Sequence, residues 1–398
     1  MMRADLRKPE LPQPGPEALR ESGALFERIT REIAAAGGWI SFSRYMDLAL
    51  YSTVAPGLGY YSGGSAKLGE AGDFVTAPEL GSLFGRTLAH QVAGLLPEGG
   101  DILEFGAGSG ALAQAIAGEL AVLGRLPANY LILEPSAGLA ARQRDRLAAI
   151  GSETRFQWLS ELPTGFRGVM LANEVVDAMP VHALAWTGRG ILERGVVMEN
   201  GALAWRDRPA LGEVLRTALE IPVELPPSGR FESELNLAAR AWMRSLAGAL
   251  GEGAILIADY GFSSREYYHP QRSEGTLMCH YRHRAHGDPF FLPGLQDITA
   301  HVDFSALAHA GLEAGLALLG YANQAQFLIN CGITELLAQS DPSDVRRYAP
   351  RAAEAQKLLS PAEMGELFKV LALVKGSRSA AAGMVCVGFA RGDRAGTL

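Results

Sequence analysis

Five polar residues stand where short apolar runs end: Glu104, Glu134, Asn173, Glu174 and Asp177. The first follows Asp101-Ile102-Leu103 and precedes "FGAGSGALA", where Gly106, Gly108 and Gly110 occupy alternate positions. Asp101–Phe105 reads as a strand buried in a parallel sheet. Ala111–Ile116 reads as the start of a helix. A strand, a glycine turn and a helix form the first unit of a nucleotide-binding α/β fold, in which bare backbone and free helix N–H groups approach the ligand.

Two ligands compete for such a turn. Gly106-x-Gly108-x-x-Ala111 fits a relaxed dinucleotide fingerprint, which admits an NAD-dependent oxidoreductase. Glu104 argues for the other ligand. A carboxylate at the strand end repels a pyrophosphate, whereas S-adenosylmethionine has no phosphate and its ammonium and sulfonium groups are cations. The alternative for Glu104 is a strand-end residue capping nearby amides. Tyr130–Glu134 reads as a second strand ending in an acid before Pro135. There Glu134 suits a ribose diol, since one carboxylate accepts from two adjacent hydroxyls. Adenosine and NAD share that diol, so Glu134 supports a nucleoside without separating the two.

The segment "VMLANEVVDAMPVHAL", residues 169–184, is the richest in chemistry. A buried strand delivers Asn173, Glu174 and Asp177 to the carboxyl edge of the sheet, where open α/β sheets bind ligands. From there they reach the methyl group of a cofactor bound at 104–110. Glu174 and Asp177 together suit a cationic acceptor such as a guanidinium. Bland alternatives stand beside this: Asn173 as a helix cap, Asp177 paired with a surface arginine, His182 as a hydrogen-bonded core histidine. Cys279, His280, His283 and His286 lie close together, but match no zinc spacing and are interrupted by Arg282 and Arg284. No metal is expected.

The elements that must position these groups follow from pattern. Residues 1–98 read as a helical region with a glycine-rich loop ahead of Thr76, and 99–392 as a Rossmann-like domain with insertions at about 183–232, 262–300 and 323–375. Helices are expected at 24–36, at 43–50 and from Thr76 to about Leu96. Thr76-Ala77-Pro78-Glu79 has the capping-box pattern. Strands are expected at 101–105, 130–134, 155–159, 168–172, 254–258, 316–319 and 384–390, and Asn200-Gly201 marks a hairpin turn. Helices are expected at 233–249 and 303–310, and 323–375 reads as mostly helical. The stretch 262–300 reads as a long functional loop.

The chain has 398 residues, 48% of them hydrophobic, enough for a large core. Lys and Arg number 36 and Asp and Glu 43, a net charge of −7 that disfavours a broad duplex-binding face. Three cysteines without paired spacing read as reduced thiols. No signal-peptide pattern and no run of about eighteen apolar residues occurs, so the expected address is the bacterial cytoplasm, with no membrane and no nucleic-acid partner.

The segments "GYYSGG", "GDFVTAPELGSLFG", "LEFGAGSGALA", "LANEVVDAMPVHAL", "ADYG", "GDPFFLPGLQDITAHVDFSALA" and "QAQFLINCGI", in this order over about residues 40–390, resemble the MidA-like family. Its members are S-adenosylmethionine-dependent methyltransferases and include the mitochondrial arginine methyltransferase of complex I assembly. The resemblance implies a class I Rossmann-like seven-stranded sheet with a reversed last strand and helical additions. It implies that Glu104, Gly106, Gly108 and Glu134 take S-adenosylmethionine, that Thr76, Pro78 and Glu79 lie near it, and that Asn173, Glu174 and Asp177 face the acceptor. It also implies an arginine-containing partner protein as substrate. A cofactor-binding assembly factor without turnover, or methylation of a small molecule, stands as an alternative.

Overall fold

The computed structural model describes residues 11–52, 57–62, 76–149, 153–375 and 385–398. Most of the glycine-rich loop expected before Thr76 lies outside them. The chain forms two compact units, each assembled from three stretches: 76–179, 236–269 and 301–398 make the larger, and 1–75, 180–235 and 270–300 the smaller.

The larger unit is built on a mixed sheet. Its strands run in the order Ala317–Asn323, Phe368–Lys375, Leu250–Phe262, Phe166–Asn173, Asp101–Phe105, Tyr130–Leu133 and Phe156–Leu159. Leu250–Phe262 and the four strands after it in this order pair in parallel. Phe368–Lys375 runs antiparallel to both its neighbours. The two-residue strand Val302–Asp303 joins the far end of Leu250–Phe262. Alternate side chains enter separate cores on the two faces. Ile102, Val169, Leu171, Leu256 and Val370 pack with Phe84, Leu112, Ile116 and Phe327 on one face. Leu103, Met170, Ile255, Ile257 and Leu371 pack with Met243, Leu246, Phe304 and Leu307 on the other. Both faces being covered explains why these strands read as unbroken apolar runs.

Several elements differ from expectation. The helix starting at Thr76 is two helices, Ala77–Leu80 and Leu83–Leu95. A Cβ at Gly81 would run into the Glu354 carboxylate. That carboxylate accepts from the N–H groups of Leu83 (2.7 Å) and Phe84 (3.4 Å). A residue 271 positions away thus caps the second helix. Residues 233–235 finish a strand, Arg230–Leu235, and the helix starts only at Leu237, where Asn236 accepts from Ala239 N at 2.8 Å. Phe368–Lys375 is a strand, not helix, while 387–389 is a 3-10 turn where the last strand was expected; Met384 lies outside the described residues.

The smaller unit packs helices Pro16–Ala35 and Phe42–Leu50 with an antiparallel sheet of Ile40–Ser41, Gly190–Glu199, His182–Thr187 and Arg230–Leu235, to which Ala202–Pro209 adds on Gly190–Glu199. Asn200 and Gly201, both at positive φ, make the expected hairpin turn. The stretch 262–300 is not all loop, because Met278–Tyr281, Arg284–His286 and Asp297–Thr299 form a small sheet. Among the described residues no helix is long and apolar enough to cross a membrane.

Candidate active site

The glycine turn lies at the carboxyl end of Asp101–Phe105 in the larger unit. Gly106, Gly108 and Gly110 have φ of 58°, 55° and 82°, a region that a side chain disfavours. The turn leads into helix Ala111–Val122, whose N-terminal amides face the same end. Gln143, fully buried, donates from Nε2 to Gly108 O and to Glu134 Oε2, both at 3.0 Å. Its own Oε1 accepts from Trp158 Nε1 at 2.9 Å. The glycine turn and the acid of the neighbouring strand are therefore held by one amide. Gln143 had no motif to announce it; only its position one helix after Glu134 hinted at a role.

Glu134 also accepts from Ser136 N at 3.0 Å, and burial raises its pKa while these donors oppose the shift. Glu104 is almost wholly buried and accepts from the Tyr130 hydroxyl at 2.6 Å. Burial, partly offset by that hydrogen bond, lifts its carboxyl to about 7.

Thr76 starts helix Ala77–Leu80 and Pro78 lies in its first turn, but the capping box does not close. Thr76 makes no side-chain cap, and Glu79 instead accepts from the Ser109 hydroxyl, inside the glycine turn. The Arg146 guanidinium donates to the Ser109 carbonyl (3.2 Å) and to the Ser109 hydroxyl oxygen. Glu79 thus stands at the glycine turn for a reason the local pattern misstates.

Past the strand Phe166–Asn173 the chain makes a tight turn with Glu174 at φ 51°, unusual for a non-glycine residue and typical of sites where strain is stored. Glu174 N donates to Ala258 O at 2.9 Å. Its Oε1 accepts from Ala77 N and from Asn173 Nδ2, both at 3.2 Å. Asn173 caps no helix: its amide goes to Glu174. Asp177 pairs with no arginine among the described residues: it is buried, and its Oδ2 accepts from the Tyr260 hydroxyl at 2.5 Å. Burial raises Asp177 to about 6. Asp259, also buried, is raised well above the usual range by desolvation and then by the nearby charges of Asp177 and Glu174. Asp259 and Tyr260, of the "ADYG" segment, are the site residues that spacing did not single out.

His182 lies in the smaller unit, where its Nδ1 is 2.7 Å from Glu193 Oε1 on the adjacent strand. In the same unit Cys279 and His286 face each other across a hairpin whose turn contains Arg282 and His283. Among the described residues no group of three or more His, Cys, Asp or Glu could hold a metal ion.

A glycine turn bare of side chains, a buried carboxylate beneath it and a second acid on the next strand fit S-adenosylmethionine, which brings a cationic amino acid portion and a ribose. Residues 83–322 match the family model described as "Putative S-adenosyl-L-methionine-dependent methyltransferase", and the chain belongs to this family. Among solved structures it is similar to a superfamily member from Burkholderia thailandensis bound to S-adenosyl-homocysteine, at 50% identity and TM-score 0.90, covering 98% of this chain and 100% of that one. A native structure from the same organism matches at 49% identity and TM-score 0.88, with 98% and 100% covered. Among curated proteins it is similar to the mitochondrial protein arginine methyltransferase NDUFAF7 of Danio rerio, 29% identical with 90% of each chain covered. The Homo sapiens protein of that name is 28% identical, with 86% of this chain and 81% of that one covered.

Proposed function

We propose that this chain methylates arginine in a partner protein, using S-adenosylmethionine. The observation that carries the acceptor assignment is the carboxylate corner of half-buried Glu174 and buried Asp177 at the carboxyl end of Phe166–Asn173, the strand beside the one that leads into the glycine turn. Curated relatives named as protein arginine methyltransferases support it. The strand order supports reading the larger unit as a class I Rossmann-like sheet of seven strands with a reversed strand near one edge.

When bound, the cofactor supplies a methyl group on a positively charged sulfur. Glu104 pairs with its ammonium, directly or through water, and Glu134 accepts from its ribose hydroxyls. Gly106, Gly108 and Gly110 keep side chains out of its path, while Thr76, Pro78 and Glu79 border it. Glu174 and Asp177 hold the guanidinium so that one nitrogen points along the line of displacement. Alignment of this kind supplies much of a transfer's barrier reduction. The carboxylates also localise the guanidinium charge away from the attacking nitrogen.

The test is transfer of label from methyl-labelled S-adenosylmethionine to arginine-containing peptides, with the modified residue located by mass spectrometry. Label on arginine supports the reading. Binding of the cofactor with no transfer to any peptide or co-purifying protein would favour an assembly factor without turnover.

A further inference from the structure

Three carboxyls of the larger unit crowd the turn 173–177 and the strand end beside it, and they are not equivalent. Asp259 spends its lone pairs on backbone: Oδ2 accepts from Val176 N (2.9 Å) and Asp177 N (3.3 Å), and Oδ1 from Tyr260 N (2.9 Å). It pins the turn to the neighbouring strand. Glu174 holds the start of helix Ala77–Leu80. Asp177 differs in its two oxygens. Its Oδ2 takes the Tyr260 hydroxyl, whereas its Oδ1 is buried without a hydrogen-bond partner among the described residues. The residue is only 6% exposed. Asn173 Oδ1, on the same turn, is buried and unpartnered in the same way.

Both orphan atoms are acceptors. A buried acceptor without a donor is unfavourable, so such atoms point to a ligand with N–H groups to give. Tyr260 cannot easily aim elsewhere. Its ring is set edge-on to His301 (5.1 Å) and to Phe368 (5.4 Å), and His301 is itself stacked on Phe262 (5.3 Å).

We propose that Asp177 Oδ1 receives the proton that the acceptor nitrogen must lose, and that Tyr260 is the positioning residue that turns Asp177 to do so. This rests on the arginine reading above. The balance is simple. As the acceptor nitrogen forms its bond to the methyl carbon, the carbon–sulfur bond breaks and its electron pair stays on sulfur. A guanidinium that gains a methyl cation carries one charge too many, so one N–H bond breaks and its proton passes to Asp177 Oδ1. The methylated guanidinium is left with a single positive charge.

Asp259 and Tyr260 face Asp177, Glu174 acts on Asp259 from the same turn, and His301 and Lys369 stand behind the aromatic rings. Burial raises Asp177, and the Tyr260 hydroxyl, ahead of the nearby backbone amides of Ala178 and Asp177, opposes that rise. Removing the hydroxyl therefore pushes Asp177 further up and narrows the pH range in which it is a base.

The experiment compares the parent, Tyr260→Phe and Asp177→Asn, all as the full chain. One arm titrates the aspartate carboxyls by 13C NMR without cofactor, the Asp177 signal being identified by its loss in Asp177→Asn. The other arm measures methyl transfer to arginine-containing peptides across pH, with S-adenosyl-homocysteine binding by calorimetry as the control for a folded site. Expected for Tyr260→Phe is an Asp177 midpoint moved to higher pH. The acid limb of kcat should move with it, and kcat should fall about tenfold at neutral pH with peptide KM unchanged. Asp177→Asn should lose about a hundredfold or more in kcat while still binding S-adenosyl-homocysteine. A parent that transfers label beside a Tyr260→Phe variant with unaltered kcat and acid limb overturns this proposal alone. An unmoved Asp177 midpoint in Tyr260→Phe does the same. A parent that transfers nothing to arginine overturns the arginine reading and this proposal with it.

Discussion

Tyr130 and Glu104 sit on adjacent parallel strands, and the tyrosine hydroxyl donates to the glutamate at 2.6 Å beneath the glycine turn. The hydroxyl favours the charged form of Glu104, while burial, the larger effect, lifts its pKa to about 7. Because the folded pKa lies above the ordinary 4.5, the native state holds more protons than the unfolded chain between those values. This group's contribution to stability therefore falls as pH rises from 4.5 to about 7. A cationic ligand group reverses the preference. Affinity for S-adenosyl-homocysteine should climb up to about tenfold per pH unit below that midpoint and level off above it. Glu104→Gln should flatten the climb, and Tyr130→Phe should move its midpoint upward. Calorimetric titration between pH 5.5 and 8.5, a range chosen to bracket the value of about 7, decides it; a flat parent profile would remove Glu104 from the cofactor site.

Gly106 at φ 58° tests the turn itself. A Cβ there lies 3.4 Å from Val175 Cγ2, ordinary contact, so the fold has room for a small addition. The conformation does not: a branched residue costs about 1–2 kcal/mol of backbone strain. Gly106→Val should abolish cofactor binding while circular dichroism shows the fold retained. Normal binding by the variant would show that position 106 does not line the pocket.

Glu174→Gln separates charge from scaffold. A glutamine oxygen still accepts from Ala77 N, so the helix start that Glu174 holds should survive. Cofactor affinity should stay within about twofold, and methyl transfer should drop about a hundredfold, the loss seen when an oriented electrostatic group is removed. Glu174→Ala should in addition lower the melting temperature, since it leaves the Ala77 amide without this acceptor. Full transfer by Glu174→Gln would confine Glu174 to structure.

Glu354 predicts a stability effect remote from the chemistry. It is buried and accepts from Leu83 N and Phe84 N, so Glu354→Ala strands two amides at a helix start. Loss of a cap and of buried hydrogen bonds costs about 1–3 kcal/mol. The urea midpoint should fall correspondingly. An unchanged midpoint would mean water replaces the carboxylate at no cost.

Gln143→Leu removes the amide that ties Gly108 O to Glu134. Volume is nearly kept, but the Gly108 carbonyl and Trp158 Nε1 lose this partner. S-adenosyl-homocysteine should bind at least about tenfold more weakly, in line with loss of one or two buried hydrogen bonds. Retained affinity would show that the turn holds its shape without Gln143.

What the amino-acid sequence determined on its own is what short-range rules decide. Glycines packed at alternate positions behind a strand permit a turn through positive φ, and Gly106, Gly108 and Gly110 all take it. Asn200-Gly201 makes its hairpin because its strands are contiguous in the chain. The strand ending in Asn173 was legible because an apolar run with both faces covered looks the same in any parallel sheet. Only the tertiary structure decided the rest. "FKVLALVK" is an apolar run that suits a buried helix or a strand equally; the unpaired edge of Leu250–Phe262, more than a hundred residues earlier, made it a strand. Glu79 satisfies a capping box on paper, yet the Ser109 hydroxyl is what it meets. Tyr260 and Asp177 lie 83 residues apart and share a hydrogen bond because their strands are neighbours. Side-chain partners of this kind are set by which strand ends share an edge, and a linear pattern does not carry that information.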